Sequence, residues 1–399
     1  MMRILYCVTI SLLVSLLLLA SGCIAPLSST REPLSQAGES SSWSLSDIDK
    51  LPEQFEGTAK TLVGKGENPK KAREIYTEAQ EVYRQATAAN DEERAELFEE
   101  AAEKFHAAAE RWPTSALEED GLFMAGEGYF FADQYPEANE QYELLLKKYP
   151  NSKHLDIVES RRFSIAQFWL GIQEQDPESF WAVNVFDETR PWRDTFGNAV
   201  RVFDRIRIDD PTGKLADDAT LAAGNAYFAR RKFLDADAFY TDLRKTFPSS
   251  EHQFMAHLLG VKAKLLSYDG PDYSGDPLDD AEELIKQIHR QFPNEAAKER
   301  EYLARAYAEV RYKKAEREWS KAKYYARRGE YGAARFYYDL LAKEYDQTPF
   351  AERAQEQIAE TADKPDVPPQ RLKWLIDVFP EDEPVKPMLA SPPSLNMIR

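Results

Sequence analysis

Between Asn68 and Ala362 apolar residues recur at three- and four-residue intervals, and nowhere does the alternation of a half-buried strand persist. The pattern predicts helices throughout, and it is punctuated. An aromatic residue, proline and a small polar residue close successive segments at Trp112-Pro113-Thr114, Tyr149-Pro150-Asn151, Phe247-Pro248-Ser249 and Phe292-Pro293-Asn294. Asp210-Pro211-Thr212 is a weaker copy, and Tyr345-Asp346-Gln347 lacks the proline. The prolines are spaced by 37, 61, 37 and 45 residues. Proline ends a helix because it has no N–H to donate and its ring collides with the preceding turn. A stop at such intervals marks a stacked array of helix pairs.

The interior of each segment specifies the type of pair. Counting back from Pro150 gives Tyr142, Ala138, Tyr129 and Gly126, and the same distances from Pro248 give Tyr240, Ala236, Tyr227 and Gly224. These are tetratricopeptide positions: small residues where two helices cross closely, and aromatics filling the groove between them. Partial copies lie at Ala101/Phe105, Ala199/Phe203, Ala281/Ile285 and Tyr325/Ala334/Tyr338, with Gly329 at a turn. The expectation is an all-α, tetratricopeptide-type helical-repeat solenoid of about six pairs over residues 69–362.

Two inserts interrupt it. Residues Gly171 to Phe196 hold Phe180, Trp181, Phe186 and Trp192 among acidic residues. Residues Ser267 to Pro277 place Asp272, Ser274, Asp276 and Glu283 at EF-hand-like offsets, but Pro277 stands where that loop requires glycine. Asp276-Pro277 reads better as a helix cap, with Asp279, Asp280, Glu282 and Glu283 at the positive end of the helix. Further on, an uninterrupted helix is expected from about Ala296 to Arg328. Its apolar stripe runs through Leu303, Tyr307 and Val310, then shifts phase to Tyr312, Ala315, Trp319 and Ala322, as for a helix serving two packing partners in turn.

The flanks differ from the array. Residues 1–22 read as a secretory signal: Arg3, then thirteen apolar or small residues from Val8 to Ala20, too few to span a hydrocarbon core that needs roughly 20. Ala20-Ser21-Gly22-Cys23 resembles the bacterial lipoprotein box, with Cys23 the acylated residue, so attachment to a membrane through a lipid anchor is expected. Residues 23–68 then form a Ser-rich tether, in which Ile24 leans towards the outer membrane by analogy. At the other end, residues 363–399 carry eight of the 23 prolines and read as an extended tail with one short helix around Trp374.

Composition narrows the function. Fifty-one Lys and Arg against 69 Asp and Glu leave a formal charge of −18, which disfavours nucleic acid as a partner. Cys7 and Cys23 are the two cysteines, so the array has no thiol framework. No HExxH, GxSxG, GxxxxGK[ST] or strand-borne GxGxxG occurs, and Gly126-Glu127-Gly128 is a helix crossing. The five histidines are expected mostly on polar helix faces. No catalytic residue, cofactor or metal ligand is assigned, and an enzyme is not expected. One region departs from the rest: Lys298 to Arg335 carries twelve Lys or Arg and six Glu. The pairs Glu301–Arg305 and Glu309–Lys313 account for part of that charge; the surplus would suit an acidic protein partner.

A lipidated N-terminus, a tether and tandem pairs ending in a long helix together resemble the BamD-type lipoproteins of the outer-membrane β-barrel assembly machinery. The resemblance spans Cys23 and roughly Lys71 to Glu360. It is closest where Ala322-Lys323-Tyr324-Tyr325-Ala326-Arg327-Arg328-Gly329, Ala333-Ala334 and Thr348-Pro349-Phe350-Ala351 are similar to the family's last repeat, and the Asp272–Pro277 turn is also similar. It implies a non-catalytic, periplasm-facing outer-membrane scaffold. C-terminal repeats would dock a BamA-like barrel protein and other assembly subunits, and N-terminal repeats would receive unfolded outer-membrane protein segments. Arg327, Arg328 and Arg335 are the candidate partner-binding residues. Two departures stand out: six pairs rather than five, and Phe336-Tyr337 where better-studied members carry Asn-Arg. The alternative is a general cell-envelope tetratricopeptide adaptor, for instance one coordinating peptidoglycan synthesis with envelope constriction.

Overall fold

A computed structural model describes residues 66–175, 183–184, 186–369 and 372–378. Contacts divide the chain at Gly64, and the expectations for the signal, Cys23, most of the tether, Phe180 and Trp181 lie outside the described residues. Every regular element within them is a helix. The first pair is α1 (Pro69–Ala88) and α2 (Asp91–Arg111), the second α3 (Ala116–Phe131) and α4 (Tyr135–Lys148), the third α5 (Leu155–Gln175) and α6 (Thr195–Asp209). The fourth is α7 (Ala216–Ala229) and α8 (Phe233–Thr246), and the fifth α9 (Gln253–Leu266) and α10 (Asp276–Gln291). After the short α11 (Pro293–Lys298) the sixth pair is α12 (Arg300–Arg328) and α13 (Tyr331–Glu344), closed by α14 (Pro349–Thr361); α15 (Lys373–Val378) follows. Each helix packs chiefly on its neighbours in sequence, the defining connectivity of a solenoid. The chain is thus an all-α helical-repeat solenoid, with six pairs among the described residues.

Local chemistry sets the boundaries. Asn68 accepts a hydrogen bond from the Lys71 N–H ahead of Pro69, and Ser115 caps α3 through the Glu118 N–H. Three hairpin turns share one geometry at intervals of 98 residues. Asp133, Arg231 and Gly329 take positive φ of 60°, 60° and 76°, and the next N–H reaches back to the carbonyl of Tyr129, Tyr227 or Tyr325 at 2.9–3.0 Å. This is the left-handed helix stop that glycine adopts most easily. Tyr142, Tyr240 and Tyr338 recur at the same interval, and all three are buried. The array is therefore a double-pair repeat, made visible by the turns.

The repeat-packing residues lie at the close crossings. A Cβ on Gly126 would sit 2.4 Å from the Tyr142 ring, and one on Gly224 would sit 2.7 Å from Tyr240. Ala138 and Ala236 are fully buried beneath them, while Tyr129 and Tyr227 are half-buried. The Tyr142 hydroxyl donates to Glu127 at 2.7 Å, and Arg161 holds both oxygens of that carboxylate at 2.9 Å. Burial lifts the Tyr142 pKa well above 10, keeping the hydroxyl a donor.

Several expectations are corrected. Helix α5 runs on to Gln175, so the aromatic insert starts later than Gly171. Its described end is docked: the Trp169 indole N–H donates to the Thr189 carbonyl at 2.8 Å, while Phe186 and Trp192 stay exposed. The long helix starts at Arg300 rather than Ala296, because Glu299 leaves helical geometry and caps α12 through its carbonyl. Asp276 is the first residue of α10, not its capping side chain. The acidic residues behind it serve the neighbouring helices: Asp280 holds Lys264 at 2.8 Å, and Asp279 and Glu282 hold Lys314. His257 is buried, and burial lowers its pKa. His154 and His252 sit on Asp120 and Asp218 at 2.8 and 2.7 Å, one double-pair apart, so their role is to join repeats.

Candidate protein-docking surface

Helix α12 runs through 29 residues and is shared between two cores. Its first half contributes Leu303, Ala306 and Val310 to a cluster with Leu278, Ile285 and Ile288 of α10. Its second half contributes Ala315 and Ala322 to a cluster with Tyr338 and Leu341 of α13 and Phe350 of α14. The shift of apolar phase along α12 thus marks a change of partner. Tyr307 and Tyr312 differ from the expectation: both are exposed, and Ala306 takes the buried place assigned to Tyr307.

With its apolar stripe turned inward, α12 presents its cations outward, and many of them are used within the chain. Lys313 reaches Glu309 at 3.6 Å, Lys321 reaches Glu318 at 2.7 Å, and the Arg305 side chain donates to the Glu301 carbonyl rather than its carboxylate. Arg317 lies against the backbone of Gly275, and Ser320 donates to Asp272 at 3.4 Å, so the Asp-rich turn packs on α12. No group of three or more His, Cys, Asp or Glu able to hold a metal occurs among the described residues.

The three candidate arginines fare differently. Arg335 is committed within the chain: its guanidinium donates to the carbonyls of Thr361 and Lys364 and pairs with Asp366. That removes it from the free basic surface, because its contacts tie α13 to the last residue of α14 and to the segment that follows. Arg328 is exposed, with Glu330 at 2.8 Å and the Tyr324 hydroxyl at 2.7 Å. The hydrogen bond to Tyr324 and the charge of Glu330 raise its pKa. Arg327 is exposed and has no partner among the described residues, as do Lys298, Arg300 and Lys323. Tyr324, next to Lys323 in sequence, is exposed, and so is Phe336 of α13, at 64%. Cations interleaved with aromatic rings suit a carboxylate-bearing protein surface, since each ring offers apolar area and each free cation a charge-assisted hydrogen bond.

The opposite end of the array carries the opposite charge. Residues 66–148 hold nine Lys or Arg and twenty Asp or Glu, and Glu99, Glu137, Glu140 and Glu188 crowd closely enough that burial and mutual repulsion raise the Glu137 pKa. The two ends therefore favour partners of opposite sign.

Sequence reasoning missed the charges inside the array. Arg162, fully buried, is held by Asn139, Glu143 and Asp209, each at 3.1 Å. Beside it Glu159 is 3% exposed, and its Oε1 has no hydrogen-bond partner. Their positions within the helical period of α5 gave a weak cue, but charged residues in a repeat normally face solvent.

Fold and surface together define a tetratricopeptide-type repeat scaffold built for protein–protein contact. The tetratricopeptide repeat family profile matches residues 120–152, the α3–α4 pair. Among solved structures, the C-terminal part of a TPR repeat-containing protein from Cytophaga hutchinsonii is similar over 73% of this chain and 99% of its own, at 14% identity and a TM-score of 0.29, a likeness too slight to inform function. Comparison with curated proteins returns no match. No helix among the described residues is long and apolar enough to cross a membrane.

Proposed function

We propose that this protein is a lipid-anchored, periplasm-facing scaffold of the outer-membrane β-barrel assembly machinery, attached through Cys23 and docking a barrel component through the outer face of α12. The observation that carries the docking half is the pair of unpaired, exposed cations Lys323 and Arg327, one helical turn apart with exposed Tyr324 next to Lys323, in the repeat that most resembles the BamD type. The acidic N-terminal pairs supply the complementary half of the reading: a surface for extended, basic or neutral client segments. Anchor and machine rest on the lipoprotein box and on the family resemblance.

Phe336, exposed where the resemblance would place a polar residue, favours a second reading as a general envelope adaptor whose partner offers an apolar patch. Affinity purification from detergent-solubilised membranes separates the two. Recovery of a large barrel protein with periplasmic domains supports the first, and recovery of peptidoglycan enzymes without it supports the second.

A further inference from the structure

After α14 the chain turns back and lies across the start of α13. The Gly332 N–H donates to the Asp366 carbonyl at 3.0 Å, and the Arg335 guanidinium clamps the Asp366 carboxylate and the Lys364 carbonyl. Lys364 sits over the Tyr331 ring at 4.8 Å. A Cβ on Gly332 would lie 2.9 Å from the Asp366 Cβ, and one on Gly329 would lie 3.6 Å from Pro368. The segment is held as a bound peptide would be: one backbone N–H, one arginine fork and a window kept open by glycine. It is also lightly held, since the Asp366 side chain is 73% exposed and Val367 is 71% exposed.

We propose that the start of α13 and Arg335 form a receiving site for an extended segment of a partner protein that carries an Asp between prolines, and that residues 362–369 occupy this site in the resting chain. The chemistry names the ligand. A carboxylate is needed for the guanidinium, a neighbouring carbonyl for the free N–H of the first helical turn, and proline keeps such a segment extended at low entropic cost. Charge complementarity supports an acidic occupant, because Lys323 and Arg327, unpaired, precede the Gly329 turn that Pro368 overlies. The short tether from Thr361 gives the internal segment an effective concentration on the order of millimolar, so a partner's segment must be longer, more acidic or locally concentrated to displace it. This extends the docking reading above, yet its test reads a peptide and stands apart from whether any barrel component co-purifies.

The probe is a fluorescent peptide of residues 362–369, Ala-Asp-Lys-Pro-Asp-Val-Pro-Pro, titrated against the full chain by anisotropy. Asp366→Arg should release the internal segment and bind the peptide at least about tenfold more tightly than the wild-type chain. Adding Gly332→Leu should abolish that binding without lowering the melting temperature. Leucine favours the helix over glycine, and the nearest atoms a side chain there would meet belong to Asp366. In the wild-type background, Gly332→Leu should speed amide exchange across residues 362–369. Equal peptide binding by the wild-type and Asp366→Arg chains, or binding that survives Gly332→Leu, would overturn the proposal. So would a concentration-dependent wild-type dimer that Gly332→Leu abolishes, since the occupant would then be the tail of a second copy.

Discussion

Replacing Glu159 by glutamine should stabilise the array, and should do so only as the pH rises. Burial first, and then the carboxylates of Asp210, Asp156 and Asp209, push the Glu159 pKa up to about 7 from its ordinary 4.5, against partial relief from Arg162. The folded state therefore holds a proton that the unfolded chain gives up. Below pH 4.5 both states are protonated and the site costs nothing. Between 4.5 and 7 stability falls as pH climbs, and above 7 the loss is complete. A displacement of that size corresponds to about 3 kcal/mol at pH 8, and to about 1 kcal/mol at pH 5. Glutamine keeps the shape, cannot ionise, and offers an amide donor to the surrounding carboxylates. Its advantage over the wild type should widen by about 2 kcal/mol between pH 5 and pH 8, or by about 4 °C in melting temperature for an array of this size. Calorimetry or thermal circular dichroism of both proteins at pH 5, 6, 7 and 8 checks this. A difference in melting temperature that stays flat across the four values would refute the reasoning, and would mean that water or a rearrangement keeps Glu159 solvated.

Three further outcomes test other levels of the account. Ala236→Arg should lower the melting temperature by roughly 6 °C or more, since Ala236 is fully buried against Tyr240 and Ala263, an arginine there overpacks or buries its charge at about 3 kcal/mol, and neighbouring pairs share the damage; an unchanged value would place the repeat register elsewhere. Reversing Arg327 and Arg328 together to glutamate should leave the fold intact and cut recovery of the docked partner several-fold at low salt but little at high salt, because exposed charges act through screened attraction. Equal recovery at both salts would move docking off α12. Cys23→Ser should release the protein from the membrane fraction, as fractionation at high salt would read; a variant that still pellets with membranes would end the lipoprotein reading.

Periodicity, proline stops and the Gly/Ala/Tyr positions made the six pairs legible from the chain alone, because in a solenoid each element contacts its neighbours in sequence and the signals for folding are local. The same locality made the change of partner along α12 readable from its shifted stripe. Charge within the array was not legible. Arg162 draws its partners from Asn139 and Glu143 on α4 and from Asp209 on α6, and nothing near it in sequence distinguishes it from an arginine on a solvated helix face. Glu159 owes its raised pKa first to burial and then to carboxylates as far as 51 residues away in sequence. Arg335, which composition assigns to a basic outer face, is taken up by Asp366, 31 residues further on. The helices, their pairing and most of their ends were legible in the order of residues, since those depend on steric and hydrogen-bonding preferences within a few positions. Which charges are spent inside the molecule and which remain for a partner is set by the packing of the helices, because electrostatic pairing depends on distances in space that the order of residues does not contain.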